Sequence, residues 1–220
     1  KIAAGVVDED GHIIARARRQ TPTTDPLAVL DAIADLVAEF RGTYPVKAVG
    51  IGAAGYVDAS QSTVVFSPHL AWRNEPLRDA VYRRTKLPVV VDTDANAACW
   101  AEWRFGSAQN EPDLVLVNLG TGIGGAIVID GQPYRGHHGM AGEFGHMQVV
   151  PNGLPCECGN SGCWVQYSSG RVLDRRAKQA LAENSVFGQA LLQAVDGVAE
   201  RVDGTVVGAL AAAGHQQAMQ

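Results

Sequence analysis

The 220-residue sequence has no apolar run near the 18 residues a membrane-spanning helix requires. It also lacks the basic start and short apolar stretch that mark a secretory signal. A cytoplasmic protein without membrane partners is expected. Basic residues are the minority charge: 18 Lys and Arg against 23 Asp and Glu leave a net charge of −5. Two short basic groups (Arg16, Arg18, Arg19; Arg171, Arg175, Arg176) are diluted by acidic or apolar neighbours. Nucleic acid, whose binding runs on clustered positive charge, is therefore not an expected partner. Charge of either sign is sparse, at 19% against 46% hydrophobic residues. That balance excludes a disordered chain, because it can bury a real core. Of the four cysteines three cluster, the wrong number for a self-contained disulfide set, and nothing in the sequence suggests secretion.

Glycine is what the sequence has in excess, 25 of 220 residues or about 11%, against about 7% in average usage. Between the glycines, hydrophobic spacing predicts alternating strands and helices. Strands over 1–7 and 12–20 are joined by Asp8–Gly11, a turn with hairpin chemistry. Thr23-Thr-Asp25-Pro26 opens a helix whose buried stripe is Leu27, Leu30, Ile33, Val37 and Phe40, ending near Gly42. A strand over 46–52, a helix over 75–86, a strand over 88–92 and a helix over 95–105 follow. The polar break Gln109–Asp113 suggests a domain boundary, giving lobes 1–108 and 109–220. The second lobe begins with strands 114–119 and 126–129, then a glycine-rich loop, a cysteine cluster and helix. Phe187, Leu191, Val195, Val198, Val202, Val206 and Leu210 make one long buried stripe. The expected fold class is α/β in two lobes.

Three motifs carry chemistry. Gly120-Thr121-Gly122-Ile123-Gly124-Gly125 enters a strand, so it is not a dinucleotide turn, which must enter a helix. It is either a tight turn without a ligand or a hairpin whose exposed backbone N–H groups approach an anion. Asp92-Thr93-Asp94-Ala95-Asn96 ends an apolar strand and opens a helix. Asp94 reads there as an N-cap or as a general base at the carboxyl end of a strand, and the two roles are compatible. Cys156-Glu-Cys158-Gly-Asn-Ser-Gly-Cys163 brings three thiols together, with His146 ten residues upstream as a fourth ligand. A Cys3His set suits tetrahedral Zn²⁺, in a structural role because no ligand position is left open; disulfides or free thiols are the alternatives. Cys99 reads as a small core residue, and His137 and His138 as loop residues.

Taken together these residues resemble the ROK family of sugar kinases and repressors, nearest its actinobacterial-type glucokinases. The resemblance runs almost collinearly from Lys1 to about Gly170. It is most specific in Ala141-Gly-Glu143-Phe-Gly-His146 with the cysteine motif, and extends to Gly50–Asp58, Asp94-Ala-Asn96 with Glu102, and Leu119–Gly125. It implies a two-lobed actin/hexokinase-like (ribonuclease H-like) ATPase fold with a structural zinc loop over 142–163. It implies an ATP-dependent hexose kinase, acting on the 6-hydroxyl of glucose or a related hexose, with Mg²⁺ accompanying ATP. Asp94 matches the catalytic base, and Asn96 looks like part of the same active-site motif. Thr93, Asp94, Glu143 and His146 match sugar-side positions. Gly120, Thr121, Gly122, Gly124 and Gly125 match a phosphate-binding hairpin, and His146, Cys156, Cys158 and Cys163 match the zinc ligands. A homodimer or homotetramer is the expected assembly.

The sequence departs from the family pattern at four positions. Thr93 stands for Asn, Val165 for a sugar-bonding Glu, Ala54 for Pro and His69 for Asn. Val165 is the weightiest, since valine accepts no hydrogen bond. These departures keep a second expectation open, a non-catalytic ROK sugar-sensing regulator or pseudokinase, and a third, a zinc-stabilised scaffold. The family's first phosphate loop, Asp-Ile-Gly-Gly-Thr, is expected ahead of Lys1, and its adenosine-side glycines beyond Gln220.

Overall fold

The computed structural model describes residues 1–68 and 70–219; His69 lies outside the described residues. Two compact units emerge, Lys1–Leu116 with Gly125–Gly142, and Val117–Gly124 with Glu143–Gln220.

In the first unit, β1 (Ile2–Val7) and β2 (Ile13–Arg19) form an antiparallel hairpin. The Asp8 carboxylate ties its turn by accepting the backbone N–H groups of Asp10 and His12. Helix α1 (Pro26–Arg41) starts where Asp25 accepts from the backbone of Leu27 and Ala28, with proline in the first turn. Leu30 is buried as expected, but Leu27 is 63% exposed, because the first turn lies beyond the packed stripe. β3 (Val49–Ala53) pairs in parallel with β7 (Val89–Thr93), in register Gly52↔Asp92 and Ala53↔Thr93. Between them the chain forms β4 (Tyr56–Val57), β5 (Val64–Phe66), β6 (Arg73–Glu75) and α2 (Leu77–Thr85). The antiparallel β4–β5–β6 sheet went unread in the sequence, because strands of two or three residues carry no measurable alternation. Val29, Leu30, Val64, Leu77, Val81 and Val91 form the core of this unit. β1 and β3 belong to separate two-stranded sheets, and a cavity of about 1120 Å³ lies among β1, β3 and α1.

Helix α3 (Asp94–Phe105) packs Cys99 against Ala126 and Val128 of β9 (Ile123–Ile129), with Leu114 and Leu116 of β8 (Leu114–Leu119) beside them. Cys99 is thus the core residue expected. β10 (Gln132–Pro133) follows a turn in which Asp130 and Gly131 both have positive φ, the requirement of a tight two-residue hairpin. The polar stretch 109–113, expected to divide the lobes, lies inside this unit. Trp103 Nε1 donates to Glu111 O and Gly131 N to Pro112 O, so the break in hydrophobicity is not a break in packing. The units instead interleave along the chain, with the β8–β9 tip in the second.

In the second unit, the cysteine loop leads into α4 (Val165–Ser168), α5 (Gly170–Ala182), α6 (Val186–Ala194) and α7 (Gly204–Ala212). The long stripe expected from Phe187 to Leu210 is broken. Asp196 and Gly197 take left-handed φ values of 54° and 79°, which end α6 and reverse the chain. Ala177, Ala180, Leu191, Val195, Val202 and Val207 still share one core with Phe187, Val206 and Leu210 packed against it, but Val198, expected in the buried stripe, is 37% exposed beyond the break. Gly188 allows α6 to approach α5, since a Cβ there would lie 2.2 Å from Ala180 O.

Candidate functional site: a strand-end carboxylate pair and a cysteine loop

The carboxyl end of β7 carries two aspartates in different states. Thr93, in extended conformation, is the N-cap of α3, its Oγ1 accepting the Asn96 N–H at 3.1 Å. The cap is therefore Thr93 and not Asp94, whose capping role was the alternative left open by the sequence. Thr93 stops the strand with a β-branched hydroxyl that fits both states. Asp94 occupies the first helical position, exposed, with one carboxylate oxygen accepting Ala95 N–H at 2.9 Å. Gly52 opposite makes room for it, because a Cβ there would come within 3.2 Å of Asp94 Cα.

Asp92, two residues earlier, is the hub that the sequence reading missed. Its Oδ2 accepts Arg135 Nε at 2.9 Å, Arg135 Nη2 at 2.7 Å and Gln61 Nε2 at 3.0 Å. Its Oδ1 accepts Asn96 Nδ2 at 2.7 Å and its neighbour Thr93 N–H at 2.9 Å. Asn96 is buried, and its Nδ2 links the first turn of α3 to Asp92. The only signal in the sequence was a second acid beside Asp94; its partners lie 31 and 43 residues away.

None of Gly120, Gly122, Gly124 and Gly125 has positive φ. Turn conformation is therefore not the reason for glycine at these positions, and a Cβ on Gly120 would meet open space. Although the hairpin runs into a strand, a helix start does reach it. Gly170 N–H and Arg171 N–H, from the first turn of α5, donate to Gly120 O at 2.8 Å and Thr121 O at 3.2 Å. Gly125 lies against Gly142, where a Cβ would meet Gly125 O at 2.5 Å.

Glu143 is partly buried, and its carbonyl accepts His146 N–H to close a single 3₁₀ turn over Phe144–His146. Gly145 lets this turn lie on Ile123, whose carbonyl a Cβ would approach to 2.3 Å. Backbone bonds from Val149 N to Gly162 O, Gly162 N to Leu154 O, Cys156 N to Asn160 O and Trp164 N to Met147 O shape the rest of the loop. The result brings one donor atom each of His146, Cys156, Cys158 and Cys163 within 4.8 Å of one another. Cys156 Sγ is 3.5 Å from His146 Nδ1, and Cys158 Sγ is 3.7 Å from Cys163 Sγ. No cysteine forms a disulfide. Burial, reinforced by the neighbouring thiols, pushes the Cys163 thiol up to about 12. Burial also opposes ionisation of Cys156, but hydrogen bonds from the Cys158 backbone, Gln166, Cys158 and His146 outweigh it and pull the thiol down to about 6. Val165 is buried against Ile123 and Cys163, as part of the small core beneath the loop.

Asp94 thus belongs to the first unit, and Glu143 and the four-donor cluster to the second. Within each unit the expected neighbours are brought together.

The α/β architecture is that of sugar kinases with an actin/hexokinase-like fold. A ROK family glucokinase from Streptomyces griseus, solved with glucose and AMPPNP, matches 98% of this chain and 69% of its own with a TM-score of 0.87 and 47% identity. The ROK family pattern covers residues 1–217, and the chain belongs to that family. The glucokinase of Streptomyces coelicolor is 50% identical over 204 residues, 93% of this chain and 64% of the relative. The xylose repressor of Bacillus subtilis is 33% identical over 173 residues, 76% of this chain and 45% of the relative. The chain accordingly spans a little under two thirds of the length of the curated glucokinase it matches. No described helix is long and apolar enough to cross a membrane.

Proposed function

We propose that this chain carries the sugar-side machinery of an ATP-dependent hexose kinase that phosphorylates the 6-hydroxyl of glucose or a related hexose. The observation that carries this reading is the division of labour between Asp92 and Asp94. Asp92 is fully engaged in holding the strand end, which leaves the exposed Asp94 at the start of α3 for chemistry. Asp94 accepts the proton of the attacking hydroxyl, and this orients the oxygen in line with the γ-phosphate. Mg²⁺ bound with ATP supplies charge neutralisation on the phosphates. Gly120, Thr121, Gly122, Gly124 and Gly125 present bare backbone for close approach of a phosphate, which is consistent with their ordinary φ values. Thr93, Glu143 and His146 are assigned to the sugar side.

We assign Zn²⁺ to His146, Cys156, Cys158 and Cys163. A tetrahedron with Zn–S bonds of about 2.3 Å has edges of about 3.8 Å. The thiol–thiol and thiol–imidazole separations of 3.7 and 3.5 Å fit two such edges. The four protein donors fill the coordination shell, so the metal braces the loop that follows Glu143 and takes no part in the chemistry.

Coupled ADP release with a panel of hexoses tests the reading. Hexose-dependent turnover is expected, and Asp94→Asn should lower it by about 10²–10⁴-fold with unchanged melting. No turnover with any hexose would overturn the kinase reading. A second reading, a sugar-sensing regulator without catalysis, draws on Val165, which is packed into the loop core where the family pattern has a carboxylate. Glucose-dependent thermal stabilisation without ADP release would favour it.

A further inference from the structure

Among the described residues Arg135 is the charged partner of Asp92, and it reaches that carboxylate from a segment 43 residues further along the chain. The pair is mostly buried, with side-chain exposures of 25% and 14%. Both guanidinium bonds fall on the same oxygen, at 2.9 and 2.7 Å, while Arg135 Nη1 donates to Pro133 O. The segment that Arg135 opens is a closed loop, its neck formed by Ala141 N–H donating to Arg135 O at 3.0 Å. Gly136, Gly139 and Gly142 all take left-handed φ. At Gly139 the loop lies so close to Val57 that a Cβ would come within 2.3 Å of its carbonyl. The first residue past the neck glycine is Glu143.

We propose that Arg135 is a positioning residue for hexose binding: through Asp92 it fastens the loop 135–142 to the strand end that carries Asp94. The assignment rests on the kinase reading above. Two features separate it from a merely structural ion pair. Asp92 and Asn96 are bonded directly to each other, so the strand end keeps its own bracing when Arg135 is removed. The loop 135–142, by contrast, loses its side-chain tie to that strand end. Arg135 therefore acts on where the loop 135–142 is held against the strand end, more than on whether the unit folds. Lysine in its place keeps the charge but loses the paired N–H geometry.

Steady-state kinetics of the full chain with Arg135→Met, Arg135→Lys and the double variant Asp92→Asn/Arg135→Met provide the test. Arg135→Met should raise the KM for hexose by roughly tenfold to a hundredfold, as misplacement of a binding group does, with the KM for ATP unchanged. Arg135→Lys should fall between it and the wild type. The double variant should regain melting temperature relative to Arg135→Met, because it leaves no unpaired buried carboxylate, yet keep the raised hexose KM. A hexose KM equal to wild type in Arg135→Met would overturn the proposal, as would a proportional loss in both KM values. If the wild type itself shows no turnover, the kinase reading fails separately. The glucose-induced melting shift then decides the role of Arg135: equal shifts in wild type and Arg135→Met overturn it, and a reduced shift supports it.

Discussion

The end of β7 and the cysteine loop solve the same problem, holding polar groups in fixed positions, by opposite means. At the strand end every constraint is internal. Asp92 takes side-chain donors from three other residues, Thr93 caps α3, and the large core of the first unit lies behind them. The cysteine loop has only Ile123, Cys163 and Val165 buried beneath it, and one of these three is itself a donor of the cluster. Its four donor atoms crowd within 4.8 Å of one another. The first region is preorganised by hydrogen bonds, whereas the second, on the zinc assignment proposed above, is held by a cation. A disturbance should therefore cost little at a time in the first and a great deal at once in the second.

Removing the metal makes the largest break in that contrast. Chelation, or Cys163→Ser, should lower the melting temperature sharply and weaken hexose affinity, since structural zinc sites supply on the order of 10 kcal/mol of binding free energy. Calorimetry with metal content measured in parallel checks this; unchanged melting at zero metal would make the two regions alike. At the strand end, Thr93→Val removes one cap and should cost about 1 kcal/mol in denaturant unfolding. Thr93→Asn, which caps equally well, should cost almost nothing and sharpens the point by separating capping from any effect on hexose KM.

The smallest effect is expected at Asp58, which shapes the turn presenting Gln61 to Asp92. Burial raises its pKa, but bonds from Ser60, from Thr63 N–H and from Ser62 outweigh it and hold the carboxyl at about 2, below the ordinary 3.8. A depressed folded-state value contributes stability above about pH 3.8, and that contribution fades as the pH falls toward 2. Asp58→Asn should therefore lose about 1 kcal/mol near neutral pH. Its deficit against the wild type should shrink in urea titrations below pH 4; a deficit independent of pH would show that the carboxylate charge is not what braces the turn.

How much was legible in the sequence differs between the regions for the same reason that their energetics differ. The cysteine loop is a local motif: its thiols span eight residues with His146 ten before them, so spacing alone named all four donors. The helix caps at Asp25 and Gly42 were equally local. Asp94 was named from its place after an apolar strand, but its actual position one residue inside the helix was not, because Asp and Thr cap about equally well in isolation. The break at Asp196-Gly197 was missed because apolar spacing continues across it on the same core. Arg135 gave no sign at all, as its partner lies 43 residues away.

Composition and short-range spacing by themselves determined the α/β class, the clustered His and Cys donors, the bare glycine hairpin and the candidate base. Tertiary structure alone decided that Asp92 gathers side-chain partners while Asp94 stays exposed. It also brought the start of α5 to the hairpin and chose Arg135 as the partner of Asp92. The physical reason is range. Caps, turns and ligand spacings are set by bonds within a few residues, whereas the partners of a carboxylate depend on whichever donors the fold brings to it.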